Sequence, residues 1–436
     1  MRITSEMRLT IGRTGVASSP PARLLAALVV LAGLAPVGGF AATPWSGFRG
    51  PGGDGVSHDG PLPVEWSETE GVAWKTPIPG KAWSSPVIAD GVVWMTNATE
   101  DGTRLSAVAV DCASGKVLRD ITLFEPATPA FCHAFNSHAS STPILQGKRF
   151  YAHFGSAGTA CVDTETGEIL WKQEELRCDH HRGPGSSPVI HGDLLIVPFD
   201  GFDVQYVAAI DTRTGKIAWK RDRNIDYGTD DGDAKKAYGT GTVIEMGGRV
   251  QVVIPSAGAT IAYDPATGEE LWRVNHGGMN ASARPLHGNG LIYLNTAAGG
   301  MKTLAVRPEG TGDITGTAVA WTSPQGSGSR SSQLLLGERM FHVGDAGTAT
   351  VLDALTGKAV WQKRLGGEFS SSPILSGGRI YCPNQDGQTF VVTANEPYEV
   401  VAENTLAEGC MASPAAYEGA LFLRTKGHLY KIVAAK

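Results

Sequence analysis

A unit closing on Asp-x-x-Thr-Gly-x-x-x-Trp recurs along this chain. It reads Asp163-Thr-Glu-Thr-Gly-Glu-Ile-Leu-Trp171, Asp211-Thr-Arg-Thr-Gly-Lys-Ile-Ala-Trp219, Asp264-Pro-Ala-Thr-Gly-Glu-Glu-Leu-Trp272 and Asp353-Ala-Leu-Thr-Gly-Lys-Ala-Val-Trp361. Trp171, Trp219, Trp272, Trp321 and Trp361 lie 48, 53, 49 and 40 residues apart, and Trp74 lies 97 before Trp171, or two units. Arg119 fills the slot between them, after Asp111. Such a period belongs to repeat architectures, in which each unit buries its apolar face only against its neighbours.

The strand openings give an independent count. They are Ser84-Ser85-Pro86, Ser141-Thr142-Pro143, Ser186-Ser187-Pro188, Thr240-Gly241-Thr242, Ser282-Ala283-Arg284-Pro285, Ser331-Ser332-Gln333, Ser371-Ser372-Pro373 and Ala412-Ser413-Pro414, eight in all. The spacing suits about four short strands per unit, the size of a propeller blade. Asp-x-x-Thr-Gly is a turn: the carboxylate accepts backbone N–H groups further on, and Gly supplies a left-handed backbone. The Asp of each unit (Asp111, Asp163, Asp211, Asp264, Asp353) therefore reads as a turn residue, since a catalyst needs one special arrangement and not five copies. The Trp reads as an outer-strand residue packed between neighbouring blades. The expected fold is all-β: an eight-bladed propeller of four-stranded antiparallel blades.

The ends of the chain are expected to meet. Val72-Ala73-Trp74-Lys75 matches an outer-strand end without inner strands before it, and the last unit, from Ala412, lacks an outer strand. The early strand can complete the last blade and close the ring, which removes exposed sheet edges. The expected organisation is a signal peptide at 1–42, an arm at 43–71 and the propeller at 72–436.

Arg8, Arg13 and Arg23 precede an apolar run at 24–35, and Gly39-Phe40-Ala41 offers small residues for cleavage near Ala41 or Ala42. Met1 and Met7 both stand as starts. The run is short for a membrane span, and no later segment could cross as a helix. A soluble, periplasmic or secreted monomer is expected. A net charge of −6 with no basic stripe argues against nucleic acid. Six Cys in an exported chain permit disulfides without fixing them. Cys132 and Cys178 hold near-equivalent places in adjacent units and could bridge, as could Cys382 and Cys410; buried free thiols are the alternative. Trp45-Ser-Gly-Phe-Arg-Gly-Pro-Gly-Gly-Asp-Gly55 lacks the Gly-Lys-Ser/Thr ending of a phosphate loop and reads as a Gly-Pro turn anchored by Trp45 and Phe48.

The repeat, with Ser-Ser-Pro before it, resembles the pyrroloquinoline quinone (PQQ) repeat over residues 72–436. That resemblance implies an eight-bladed propeller. Its members include quinoprotein dehydrogenases, the outer-membrane assembly lipoprotein BamB and exported BamB-like proteins of no assigned role. Phe48-Arg-Gly-Pro, Phe154-Gly-Ser-Ala-Gly158 and Asp200-Gly-Phe-Asp203 make the chain most similar to the last group. Quinoprotein alcohol dehydrogenases carry adjacent cysteines over the quinone and a calcium site. This chain has no adjacent cysteines and no Cys-x-x-Cys-His haem motif, so no cofactor is expected, with PQQ and calcium as the alternative.

Long joins between outer and inner strands fall on one face of such a ring. They are Cys132-His133-Ala-Phe-Asn136-Ser-His138, Cys178-Asp179-His180-His181-Arg182, the acidic stretch 221–233, and a fourth opened by His276. Imidazoles of this kind suit a transition metal, with His133, His138, His180 and His181 as the ligands, although their spacing matches no standard zinc pattern. They also suit a pocket for sugar or peptide, with Arg182 as donor. The preferred reading is solvated loops bonded to each other across the entrance. The candidate mouth is His133, Asn136, His138, His180, His181, Arg182 and, from across the ring, Arg330. The leading functional reading is a non-catalytic, BamB-like scaffold binding envelope or secreted proteins. The alternatives are a PQQ-dependent or related oxidoreductase on a sugar or alcohol, and a metal- or carbohydrate-binding propeller.

Overall fold

The computed structural model describes Gly15 and residues 42–325 and 328–434. The expected signal segment, with Arg8, Arg13, Arg23, the run 24–35 and Ala41, lies outside the described residues. The propeller belongs to a compact unit that begins at Ala42.

Eight antiparallel sheets follow one another along the chain. Their strands run from 87 to 124 (blade 1), 144 to 173 (blade 2), 189 to 222 (blade 3), 242 to 275 (blade 4), 286 to 323 (blade 5), 334 to 364 (blade 6) and 374 to 405 (blade 7). Blade 8 has its three inner strands at 415 to 432, and Val72–Pro77 pairs antiparallel with His428–Ile432 as its outer strand. The ring is thus closed by its own beginning, and no blade is left with a missing edge. Among the described residues no helix is long and apolar enough to cross a membrane.

Every outer strand carries a bulge at the same place. Ile169 pairs with Val162 and Trp171 with Cys161, so Leu170 is skipped, and the same shift recurs in the other seven blades. A bulge raises local twist, and here it aims the Trp at the next blade. The indole N–H of Trp171 donates to the Thr212 carbonyl at 2.9 Å, Trp74 to Cys112, Trp219 to Pro265 and Trp321 to Ala354. Each acceptor follows the turn Asp of the next unit. The turn glycine is needed because a Cβ at Gly215 would stand 2.7 Å from the Trp171 ring, and Gly115, Gly268 and Gly357 meet Trp74, Trp219 and Trp321 in the same way. Arg119, in the slot without a Trp, donates to the carbonyls of Glu165 and Thr166. Trp272 departs from the pattern and donates to Gln251 of its own blade. Its own strand pairs instead with Gly312–Asp313, which adds a fifth, parallel strand to blade 4. Trp361 tilts against Tyr398.

The turn aspartates behave as local chemistry requires. Asp163 Oδ1 accepts from Glu165 N–H and Thr166 N–H at 2.9 and 2.8 Å, and Asp111, Asp211, Asp264 and Asp353 repeat the arrangement.

The apolar core lies between blades rather than within them. Blades 1 and 2 share one layer (Trp94, Phe150), blades 2 and 3 another (Tyr151, Phe199), and so on round the ring. The largest layer joins blades 7, 8 and 1 and takes in Trp45, Leu62 and Trp66 of the arm.

All six cysteines are free thiols, so neither bridge forms. Cys382 belongs to the layer between blades 6 and 7, whereas Cys410 faces the layer holding the arm. Cys132 Sγ faces the carbonyls of His133 and Arg182 at 3.8 Å, and Cys178 Sγ turns to His180 at 3.5 Å. Cys178 is buried in the layer between blades 2 and 3, whereas Cys132 lies partly exposed on the join 125–140, so near-equivalent places in adjacent units leave each thiol facing its own neighbours.

Candidate functional site

One residue of each strand opening, the second in six of the eight, sits near the ring axis, and all but one bond to the counterpart in the next blade. Ser85 N–H donates to Thr142 Oγ1 at 3.0 Å, Thr142 to Ser187, Ser187 to Thr240, Ser332 to Ser372, Ser372 to Ser413, and Ser413 back to Ser85 at 3.1 Å. Arg284 N–H joins the girdle at Ser332. One link is missing, because the fifth opening carries Arg284 where the others carry Ser or Thr, and Thr240 finds no hydroxyl there.

Arg284 reaches instead for the arm. Its Nη1 donates to the Phe48 carbonyl at 2.7 Å and its Nε to Thr242 Oγ1 at 3.2 Å. Arg49 of the arm answers from the other side: its guanidinium donates to the carbonyls of Pro373, Gln333 and Asp54 at 3.1, 2.5 and 2.6 Å. The arm backbone also bonds to Ile88 and Leu145 through the carbonyls of Trp45 and Ser46, and Gly55 accepts from Leu375. Residues 45–55 therefore touch blades 1, 2, 5, 6 and 7 and plug one end of the channel. The tight turn stacks Gly50 under Trp45. Burial pushes the Arg49 guanidinium down to about 9 and that of the partly buried Arg284 down to about 10.

Above this plug lies a cavity of about 490 Å³, floored by Phe48 and walled by the Ser/Thr girdle. Its mouth is crossed by the join 125–140. Trp83 Nε1 donates to the Phe135 carbonyl at 3.1 Å and Lys81 Nζ to the Ala134 carbonyl at 2.6 Å. Asn136 Nδ2 holds the carbonyls of Arg182 and Pro184 at 2.9 and 3.0 Å. Phe135, fixed in this way, meets the Arg330 guanidinium. Arg330 is steadied by Asp345 at 3.4 Å and by Ser370, and Arg182 pairs with Asp233 at 2.8 Å.

Four of the candidate mouth residues line the cavity: His133, Asn136, Arg182 and Arg330. Three do not. His138 packs over Gly102, and burial lowers its pKa. His180 lies against Gly155 and Phe199, accepts from Ser156 N–H at 3.1 Å, and is held well below its ordinary pKa by burial. His181, with a left-handed φ of 53°, turns outward onto Phe202. His133 Nδ1 accepts from Phe135 N–H. The imidazoles point apart, and among the described residues no three His, Cys, Asp or Glu side chains gather as metal ligands would. His276 borders a separate cavity of about 810 Å³ beside blade 4, bonded to Gly277 and Thr260. Asp200 is enclosed with Arg223 at 2.6 Å; burial works against that guanidinium, but Asp200 raises its pKa beyond the ordinary value.

The calcium that the resemblance pairs with a quinone does not fit this lining. Calcium draws on carboxylates among its six to eight oxygen ligands, and among the described residues no Asp or Glu lines the cavity. The residues that the sequence reading did not assign to the mouth or its plug are Phe48, Arg49, Trp83, Phe135, Tyr238 and Arg284. One signal was present: Arg284 interrupts a Ser/Thr position kept in the other openings.

The sequence profile of the family described as outer membrane protein assembly factor BamB matches residues 108–221, 203–332 and 305–397, together about two thirds of the chain. The chain belongs to this family. No curated protein sequence matches it. Among solved structures, BamB from Moraxella catarrhalis is similar at 14% identity, covering 83% of this chain and 99% of its own, with a TM-score of 0.59. The quinohemoprotein alcohol dehydrogenase of Comamonas testosteroni is similar at 12% identity, covering 90% and 80%, with a TM-score of 0.63. A computationally designed protein, Ika8, is similar at 12% identity, covering 82% and 98%, with a TM-score of 0.57. At these identities the likeness is one of fold, shared by an assembly factor, an enzyme and a designed protein alike.

Proposed function

We propose that this BamB-family chain is a non-catalytic envelope propeller that docks other proteins at the mouth of its ring. The observation that carries this reading is the join 125–140, pinned by Lys81, Trp83 and Asn136, which holds Phe131 at 67% exposure and Phe135 at 42%. Apolar rings held out in water on an anchored loop have the character of interface anchors. The family's description, an outer membrane protein assembly factor, supports an envelope setting and a role among other proteins. The oxidoreductase alternative draws on fold likeness alone, and the cavity lining offers no carboxylate to hold calcium.

The test compares capture of envelope proteins by the intact chain with capture by Phe131→Ser and Phe135→Ser. A reproducible partner that both variants lose, at unchanged melting temperature, is expected. Capture that neither substitution alters would overturn the reading. Dye-linked turnover of a sugar or alcohol after loading with PQQ and calcium would also overturn it.

A further inference from the structure

The girdle hydroxyls that line the cavity are Ser85, Thr142, Ser187, Thr240, Ser372 and Ser413, all nearly fully buried. Each uses its oxygen to accept a backbone N–H from the preceding blade. A hydroxyl also has one proton to donate, and among the described residues none of these six donates to the protein. Buried donors are almost always satisfied, so whatever occupies the cavity must offer acceptors. The charged groups agree. Arg182 donates only through Nη2, to Asp233, and Arg330 Nη2 has no partner among the described residues. No carboxylate lines the wall itself; Asp233 and Asp345 stand behind the two arginines. Asp345 is itself filled by donors from Ser329 and Arg330, and so steadies Arg330 while leaving its outer edge open. Guanidinium edges facing a ring of O–H donors select a carboxylate attached to oxygen-rich chemistry.

The remaining wall is aromatic. Phe48 forms the floor, Trp83, Phe135 and Tyr238 the sides, and Lys236 covers a Tyr238 face at 4.4 Å. Planar rings pack well against the C–H face of a pyranose and poorly against an extended backbone. A volume of about 490 Å³ lies within the range of about 300–1,000 Å³ common for small-ligand sites and admits one or two sugar rings.

We propose that the axial cavity binds an anionic sugar, a uronate of one or two rings. The carboxylate is held by Arg182 and Arg330, the ring oxygens are met by the girdle hydroxyls, and an apolar face lies on the aromatic wall. This goes beyond the docking role; Phe135 serves both readings, so the sugar site is tested at Arg182 and Arg330, which the docking test leaves untouched.

Titration calorimetry with a galacturonate disaccharide, the neutral galactose disaccharide and a blocked alanine dipeptide with a free carboxylate tests it. The uronate is expected to bind at least about tenfold tighter than the neutral sugar, and Arg182→Gln and Arg330→Gln each to weaken it about tenfold. If Arg330→Gln fails to fold, Arg182→Gln carries the same comparison. Equal binding of neutral and acidic sugar, binding of the peptide alone, no binding of any probe at millimolar concentration, or variants that bind unchanged would each overturn the uronate site. None of those results bears on capture through Phe131.

Discussion

The Arg330 guanidinium lies 5.0 Å from the centre of the Phe135 ring, although one residue precedes blade 6 and the other blade 2, which face each other across an eight-membered ring. The contact therefore spans the mouth and ties the join 125–140 to the far wall. A cation over an aromatic face at a partly exposed site is worth about 0.5–1 kcal/mol. Phe135→Ala should leave the melting temperature nearly unchanged while raising amide hydrogen exchange in 125–140 roughly two- to fivefold. Exchange at the wild-type rate would show that the join is held without this contact.

Arg49 is the centre of the plug. Arg49→Met keeps the stem but strands the carbonyls of Pro373, Gln333 and Asp54 in a buried site. A loss of about 2–3 kcal/mol is expected in urea denaturation. Gly53→Ala should also destabilise, since φ is +68° and a Cβ would stand 2.2 Å from Arg284 Cζ. Gly60→Ala, left-handed at +96° but with nothing within 4 Å, should cost clearly less. Equal losses at Gly53 and Gly60 would remove the argument for close approach.

The Trp latch between blades separates into packing and a hydrogen bond. Trp171→Phe loses the bond to Thr212 and part of the ring, and is expected to cost about 1–2 kcal/mol. Trp171→Ala is expected to cost about 3–5 kcal/mol. Gly215→Ala presses a methyl onto the same indole and should destabilise on its own, yet far less in the Trp171→Ala background, because the two act on one contact. Additive losses in a double-mutant cycle would contradict the latch.

Stability should fall with acid in two windows. Burial holds His153 down to about 3, and His276 and His342 down to about 4. Imidazoles depressed in the fold titrate near 6.5 once unfolded, so the unfolded chain takes up protons first and stability declines as pH falls from about 6.5 toward 4. A second loss follows below about 4. Side-chain bonding from Ser114 and Thr356 lowers Asp111 and Asp353, backbone bonding from Thr166 lowers Asp163, and for Asp211 bonding from Thr214 and Arg213 outweighs the burial that opposes it. These depressed carboxylates stabilise above their unfolded pKa and cease to do so as the folded pKa is crossed. Melting temperatures from pH 8 to 3 check both windows; a flat profile between 7 and 5 would show the histidines to be solvated.

Much of the ring was legible because its signals are local. Asp163 marks a turn through bonds to residues two and three positions on, and Trp171 marks an outer strand by following that turn at a fixed interval. Val72–Pro77 declared itself by lacking inner strands. The mouth was legible only in part. His133 and Arg182 face the cavity, but His180 and His181, adjacent in sequence, turn to opposite surroundings, Phe199 and Phe202. Arg284 carried a signal, as the residue that interrupts the girdle, yet its partner Phe48 lies 236 positions earlier.

By itself the sequence determined the ring, its eight blades and its point of closure, because turn chemistry and strand spacing act over a few residues and repeat. Only the tertiary structure decided that the arm plugs the channel, that Phe135 reaches Arg330, and that the thiols stay apart. Those relationships depend on which way side chains point across a closed circle, and neither loop length nor composition carries that direction.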